Sequence, residues 1–334
     1  MLVDRSSVGR MGVFRGALLV LILGMAVLCV GWFLIAGSHY IAYRMGQRVV
    51  VDKGLYYPYS VAVDGHGNVY VADSRHNRVL KETPSGEGYI QSNVVVGLAL
   101  SFGTALDNDG HLTEGAKRGE VDRPYGLAVD GDGDVYISDY GNDRVLKETP
   151  SGHTYTQTVV TTDVQSPYGL AVDNHGSVYI ADYGRNRVTK ESPSGGNYVE
   201  SVVAGSGLRG PEGVAVDREG NVYIADSDND RVLKESVLGT GYVESTLVDD
   251  MASPRGVAVD GSGNVYIVSY EDGNVYKEAF SNGHYVQTRL ATMVSLYYPR
   301  GIAVDGSDRL YIADSGHHRV VMQQRTQGYA WVAR

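Results

Sequence analysis

What most constrains this chain is that it repeats itself, because self-similarity at a fixed period dictates the architecture before any single residue does. Six segments align: PYSVAVDGHGNVYVADSRHNRVLKE from Pro58, PYGLAVDGDGDVYISDYGNDRVLKE from Pro124, PYGLAVDNHGSVYIADYGRNRVTKE from Pro167, PEGVAVDREGNVYIADSDNDRVLKE from Pro211, PRGVAVDGSGNVYIVSYEDGNVYKE from Pro254 and PRGIAVDGSDRLYIADSGHHRVVMQ from Pro299. Their opening prolines stand 66, 43, 44, 43 and 45 residues apart. All nine prolines of the chain keep to the pattern: six open the units, and Pro84, Pro150 and Pro193 sit in Pro-Ser-Gly turns.

Each unit predicts four short strands. Strand a reads G-V-A-V-D, a D-G-x-G-N turn follows, strand b reads N-V-Y-I-A-D, a polar turn leads to strand c, R-V-L-K-E, and a Ser-Gly turn leads to strand d. Alternating β-branched and aromatic residues between turn signals favour strands, and glycine supplies the positive φ that such turns need. Four antiparallel strands recurring about every 43 residues predict a propeller. The fold class expected is therefore all-β, a six-bladed β-propeller with four-stranded blades, preceded by one N-terminal transmembrane helix. A propeller must close its ring, and two segments fit the last slot. Tyr329–Arg334 has the spacing for strand d of blade six, and the leader Arg48–Val51 has the spacing for the same place.

These units resemble the NHL repeat, whose motif is similar to P-x-G-[VIL]-A-V-D-x-x-G-x-[VIL]-Y-V-A-D-x-x-N-x-R-[VI]. The resemblance covers residues 55–334 and implies a six-bladed propeller. It does not imply one function, since the family includes bacterial membrane-tethered sensor domains, scaffold domains and a few lyases, and a fold does not select a chemistry.

Residues 17–36 read ALLVLILGMAVLCVGWFLIA, without a charge. Twenty residues span roughly 30 Å as a helix, the thickness of a bilayer core, whereas a secretory signal has an apolar core of about 7–15 residues. The length points to a retained anchor; a long cleaved signal ending near Ala36-Gly37-Ser38 is the alternative. Arg5, Arg10 and Arg15 before the span set the N-terminus inside. The expected organisation is a cytoplasmic tail (1–16), a transmembrane anchor (17–37), a linker with a closing strand (38–54) and the propeller (55–334), held at the plasma membrane on its extracytoplasmic side. The net charge is −10, and residues 1–46 carry four Arg against one Asp, so the rest carries −13. So acidic a body argues against nucleic acid as a partner. The single cysteine, Cys29, excludes an intrachain disulfide.

The differences between units are informative. Strand b ends in Asp73, Asp139, Asp182, Asp226 and Asp314, and strand c begins with Arg78, Arg144, Arg187, Arg231 and Arg319; unit five has Ser269 and Asn274 instead. Joint loss predicts that each Asp pairs with the Arg of its own hairpin. Asp130-Gly-Asp132-Gly-Asp134 has the look of a calcium loop but lacks its sixth-position Gly and twelfth-position Glu, so a hairpin turn is expected. Strand a, whose six copies read SVAV, GLAV, GLAV, GVAV, GVAV and GIAV, carries no ionisable group before its last Asp, so a metal or acid–base centre would have to come from loops.

Because strands a and c run one way and b and d the other, the b–c turns and d–a connections share one face, and that is where the units vary. The d–a connections contribute Tyr56, Tyr57, Tyr59, Arg123, Tyr125, Tyr168, Glu212, Arg255, Tyr297, Tyr298 and Arg300. Tyr and Arg anchor interfaces, so Tyr56, Tyr57, Tyr59, Arg123, Tyr125, Tyr168, Arg255, Tyr297, Tyr298 and Arg300 form the expected ligand-binding set, for a protein, peptide or envelope glycan. Rim packing between blades is the competing role. His76, His317 and His318 in b–c turns and His111 in the long first d–a loop are candidate ligands for a divalent metal, the one cofactor held open. They carry the alternative function, a metal-dependent lyase or hydrolase similar to the amidating-lyase and streptogramin-lyase relatives of this architecture. No H-E-x-x-H, G-x-S-x-G or P-loop signature is present, so no catalytic residue is assigned, and a binding module is the expected function.

Overall fold

The structure, a computed structural model, describes residues 41–86, 88–96, 120–281, 283–290, 292 and 294–329. The expected tail and anchor and His111 lie outside them. Among the described residues no helix is long and apolar enough to cross a membrane.

Six four-stranded antiparallel sheets surround an axis. In blade one the strands are a (Pro58–Val63), b (Val69–Asp73), c (Arg78–Ser85) and d (Gly88–Val96). Blades two to five repeat that meander in chain order. Strand a recurs at Pro124–Val129, Pro167–Val172, Pro211–Val216, Pro254–Val259 and Pro299–Val304. Blade six closes the ring with the leader. Strand Ile41–Val51 pairs antiparallel with strand c of that blade, Arg319–Tyr329, with Ile41 opposite Tyr329 and Val49 opposite Val321. Tyr329 therefore ends strand c and does not begin a strand d.

The core lies between blades. Every residue of strand b is buried, and Val69, Val71, Val135, Ile137, Val178, Ile180, Val222, Ile224, Val265 and Ile267 are fully enclosed. The strand-b tyrosines are buried in the same layers. The phenol of Tyr70 donates to Asp64 in the a–b turn, as Tyr136 does to Asp130 and Tyr266 to Asp260, while a strand-c lysine sits over each ring, Lys81 at 5.4 Å from that of Tyr70. The other oxygen of each turn Asp accepts backbone N–H groups, Asp132 and Asp134 donating to Asp130, so the calcium-like loop spends that carboxylate on its own hairpin.

Around the axis the strands a come so close that five of the six carry glycine at the contact, Ser60 of blade one being the exception. A Cβ at Gly126, Gly169, Gly213, Gly256 or Gly301 would stand within 3.0 Å of the next blade's backbone. Only glycine permits that approach without displacing the neighbour.

Two sets of polar bonds hold the b–c turns to the rest. The first is the expected brace. Arg78 Nε donates to Asp73 at 2.7 Å, and the equivalent pairs Arg144–Asp139, Arg187–Asp182, Arg231–Asp226 and Arg319–Asp314 lie at 2.7–2.8 Å. The same Asp also accepts a backbone N–H from the d–a connection, such as Tyr56 N–H at 2.7 Å. In blade five Ser269 instead donates its hydroxyl to the carbonyl of Ala252 at 2.7 Å. The second set crosses blades. The side chains of Asn77, Asp143, Asn186, Asp230 and His318 accept the backbone N–H of Arg123, Ser166, Gly210, Ser253 and Tyr57 in the next blade at 2.7–3.1 Å.

A ring of Tyr, Glu and Arg at the channel mouth

The proline opening each strand a faces the last residue of strand b, and the register then slips before regular pairing resumes, as between Pro58 and Ser60 or Pro211 and Gly213. Such a bulge re-aims one side chain. The re-aimed residues are Tyr59, Tyr125, Tyr168, Glu212, Arg255 and Arg300, and all six line one small cavity of about 70 Å³ at the channel mouth. This corrects the expectation that strand a is free of ionisable groups. Strand a begins at the proline, one residue before the charged position, so three of its six copies bring a charge to the axis.

The ring is polarised. On one side Glu212, 8% exposed, forms an ion pair with Arg255 and stands 3.9 Å from Arg300. Burial pushes its carboxyl above the ordinary range, and the two guanidinium groups work against that. Both guanidiniums lie against the ring of Tyr270, their carbons 4.1 Å and 4.7 Å from its centre, and Arg300 also covers Tyr59 at 4.1 Å. The other side is aromatic. Tyr59 and Tyr125 stack at 3.8 Å, Tyr125 stacks on Tyr140 at 4.2 Å, and Tyr168 meets Tyr125 at 4.9 Å and Tyr183 at 4.6 Å. Burial raises the pKa of Tyr125 and of Tyr168, helped by Tyr59 at the first and by Glu212 at the second, so both phenols are neutral donors.

Two buried donors in this ring have no acceptor. Arg255 Nε and Arg300 Nε make no hydrogen bond, although an unsatisfied buried donor costs about 1–3 kcal/mol.

The remaining candidates form an outer rim. Arg123 sits over Tyr140 at 5.1 Å, and Tyr298 stacks on Tyr270 at 4.7 Å, which ties both to the inner ring. Tyr56 and Tyr57 pack against His318, at 5.2 and 4.9 Å, and Arg75 lies 5.0 Å from Tyr57. Tyr297 meets His317 at 5.6 Å. Of the proposed metal ligands, His76 and His317 each turn Nδ1 to the brace carboxylate, Asp73 at 2.9 Å and Asp314 at 3.0 Å, while Nδ1 of His318 accepts Tyr57 N–H. Among the described residues no group of three or more His, Cys, Asp or Glu side chains converges as a metal site.

Sequence reasoning passed over Tyr140, Tyr183 and Tyr270, and left Glu212 outside the binding set. A signal was present: the residue after the last strand-b position reads Ser74, Tyr140, Tyr183, Ser227, Tyr270 and Ser315 through the six units. The three serines donate to the carbonyls of Pro124, Pro254 and Pro58 in the next blade. The three tyrosines instead back the mouth.

The NHL repeat family matches residues 55–81, 165–190, 208–234 and 296–321. No curated protein sequence matches significantly. Among solved structures, a gluconolactonase from Xanthomonas campestris superposes with a TM-score of 0.63 at 14% identity over 85% of this chain and 90% of that one. Virginiamycin B lyase from Staphylococcus aureus gives 0.58 at 12% over 84% and 99%. A chain of the nidogen/laminin complex gives 0.55 at 19% over 72% and 82%. At these identities the likeness is one of fold.

Proposed function

We propose, from the premise that this chain belongs to the NHL-repeat propellers, that it is a binding module whose ligand enters the channel mouth between the tyrosines and the two arginines. One observation carries this reading. A bulge repeated in all six blades aims six large polar or aromatic side chains at a single point, where two buried guanidinium donors lack acceptors. Close packing around the axis does not call for such side chains: one position further along, five of the six strands carry glycine and the sixth carries Ser60. A pocket with a few convergent polar groups is the usual form of a ligand site.

The ligand is a protein, peptide or envelope glycan presented outside the membrane, and residues 17–37 act as the anchor that keeps the propeller there. Strand polarity supports an orientation. Strand Ile41–Val51 begins opposite Tyr329, at the end of strand c, and so starts on the face of the a–b and c–d turns. An anchor a few residues upstream sets that face toward the bilayer and the mouth away from it.

A screen of ligand classes against the full chain in detergent tests the reading, with Tyr59→Ala/Tyr168→Ala as the control. Binding that weakens at least roughly tenfold in the variant, about 1.4 kcal/mol, with circular dichroism unchanged, supports it. Equal binding by both proteins would remove the mouth as the site. The lyase or hydrolase alternative rests on the histidines of the b–c turns, and metal analysis after expression with zinc and calcium decides it: one ion per chain, lost with His318→Ala, would favour catalysis.

A further inference from the structure

We infer, resting on the binding role of the mouth, that the group it reads is a carboxylate on a short flexible stem, such as an acidic side chain or the C-terminus of a peptide. Arg255 bonds Glu212 through Nη1, and Arg300 approaches it through the same atom. That leaves the Nε–Nη2 edge of each guanidinium, and Nε on both edges is buried without a partner. This edge is a fork of two parallel donors that matches the two oxygens of a carboxylate. The charges agree. Two arginines face one glutamate in the ring, so a monoanion balances the mouth. In a body of net −13, a pair of cations gathered around the axis with idle donors is an exception that an anionic ligand explains.

Size and aromatic geometry narrow the stem. A cavity of about 70 Å³ is well below the roughly 300–1,000 Å³ of pockets that enclose a drug-sized molecule, so it admits a functional group and not a whole sugar. Tyr59 and Tyr125, the two stacked tyrosines of the mouth, offer no open face to a pyranose. Tyr59 and Tyr125 cover each other's faces, Tyr125 also covers Tyr140, and Arg300 takes the other side of Tyr59.

The test is isothermal titration of the full chain in detergent at constant ionic strength, with N-acetylglutamate, N-acetylglutamine, glucuronate and inorganic phosphate as probes. Arg255→Lys/Arg300→Lys is the variant, since lysine keeps the charge and loses the fork, and its fold is checked by circular dichroism. The expected result is that N-acetylglutamate binds at least roughly tenfold more tightly than its amide, and that the lysine variant removes the difference. Equal binding of acid and amide, preference for glucuronate or phosphate, or an acid preference untouched by the lysine variant would each overturn the inference. If a ligand of any other class still binds and is lost on Tyr59→Ala/Tyr168→Ala, the mouth remains a binding site and only its carboxylate specificity falls. If that variant changes no binding at all, the broader reading falls with it.

Discussion

The residues preceding the six strand-a prolines take left-handed backbone angles, φ being 54° at Tyr57, 49° at Arg123, 48° at Ser166, 56° at Gly210, 45° at Ser253 and 48° at Tyr298. Proline disfavours a helical conformation in the residue before it, and a left-handed angle costs a non-glycine residue of the order of 1–2 kcal/mol. The cross-blade acceptors hold five of these positions, and His318 is the acceptor for Tyr57. His318→Ala should destabilise the propeller by about 1 kcal/mol, the cost of losing a half-buried bond. His318→Asn, the residue used at the equivalent Asn77 and Asn186, should restore stability to within about 0.5 kcal/mol because asparagine both accepts and tolerates a left-handed angle. Urea unfolding of the two variants measures both. Nothing in the sequence marked this role, because a turn histidine offers the same letters to a metal, to solvent or to a neighbouring blade. A second residue-scale test concerns Glu235, whose carboxyl is raised by burial first and then by the facing Glu244. Blades one, two and five place Gln91, Gln157 and Gln287 there instead. Glu244→Gln should stabilise by about 0.5 kcal/mol at pH 7, the scale of a cross-strand charge pair. A raised carboxyl favours the fold when protonated, so the wild type regains stability as pH falls through that raised value, and the advantage of the variant should vanish there. Unfolding midpoints across pH 4–8, an assay range chosen to bracket about one carboxylate titration, check the sign.

At the scale of the hairpin, the Asp–Arg brace was legible because blade five lost both partners at once. The structure adds what the letters could not show, that the Asp also accepts a backbone N–H of the d–a connection and that Ser269 reaches that same connection as a donor. A double-mutant cycle follows. Ser269→Asp alone buries an unpaired carboxylate and should cost about 3 kcal/mol. Asn274→Arg alone should change little, and the pair together should return to within about 1 kcal/mol of the wild type. If the double variant is as unstable as Ser269→Asp, the brace does not transfer between blades. The mouth was half legible for a related reason. Its tyrosines and arginines stood out by type, but they were assigned to connections because the bulge after each proline leaves no mark in a six-residue strand. Only pairing, with Pro211 opposite Asp226 and Gly213 already opposite Ala225, shows that Glu212 is thrown inward.

Across the whole molecule, repetition carried the architecture, down to the number of blades and strands. The closing segment was not decidable from spacing, since leader and tail fit the slot equally; antiparallel pairing at ten of the eleven residues of Ile41–Val51 settles it. The proposed orientation has its own check. A cysteine introduced at Tyr298, 36% exposed on the rim, should react with an impermeant maleimide on intact cells, and labelling only after permeabilisation would place the propeller on the other side. Closure by the leader also sets an order in time. Ile41 is among the first of these strand residues to leave the ribosome, and its partner Tyr329 is among the last. At about 5–20 residues per second the first strand waits on the order of tens of seconds for its mate, an open edge able to pair with whatever strand arrives first. A nascent chain can thus complete five blades while still lacking a ring, and the last propeller strand to be made decides whether the first is ever used.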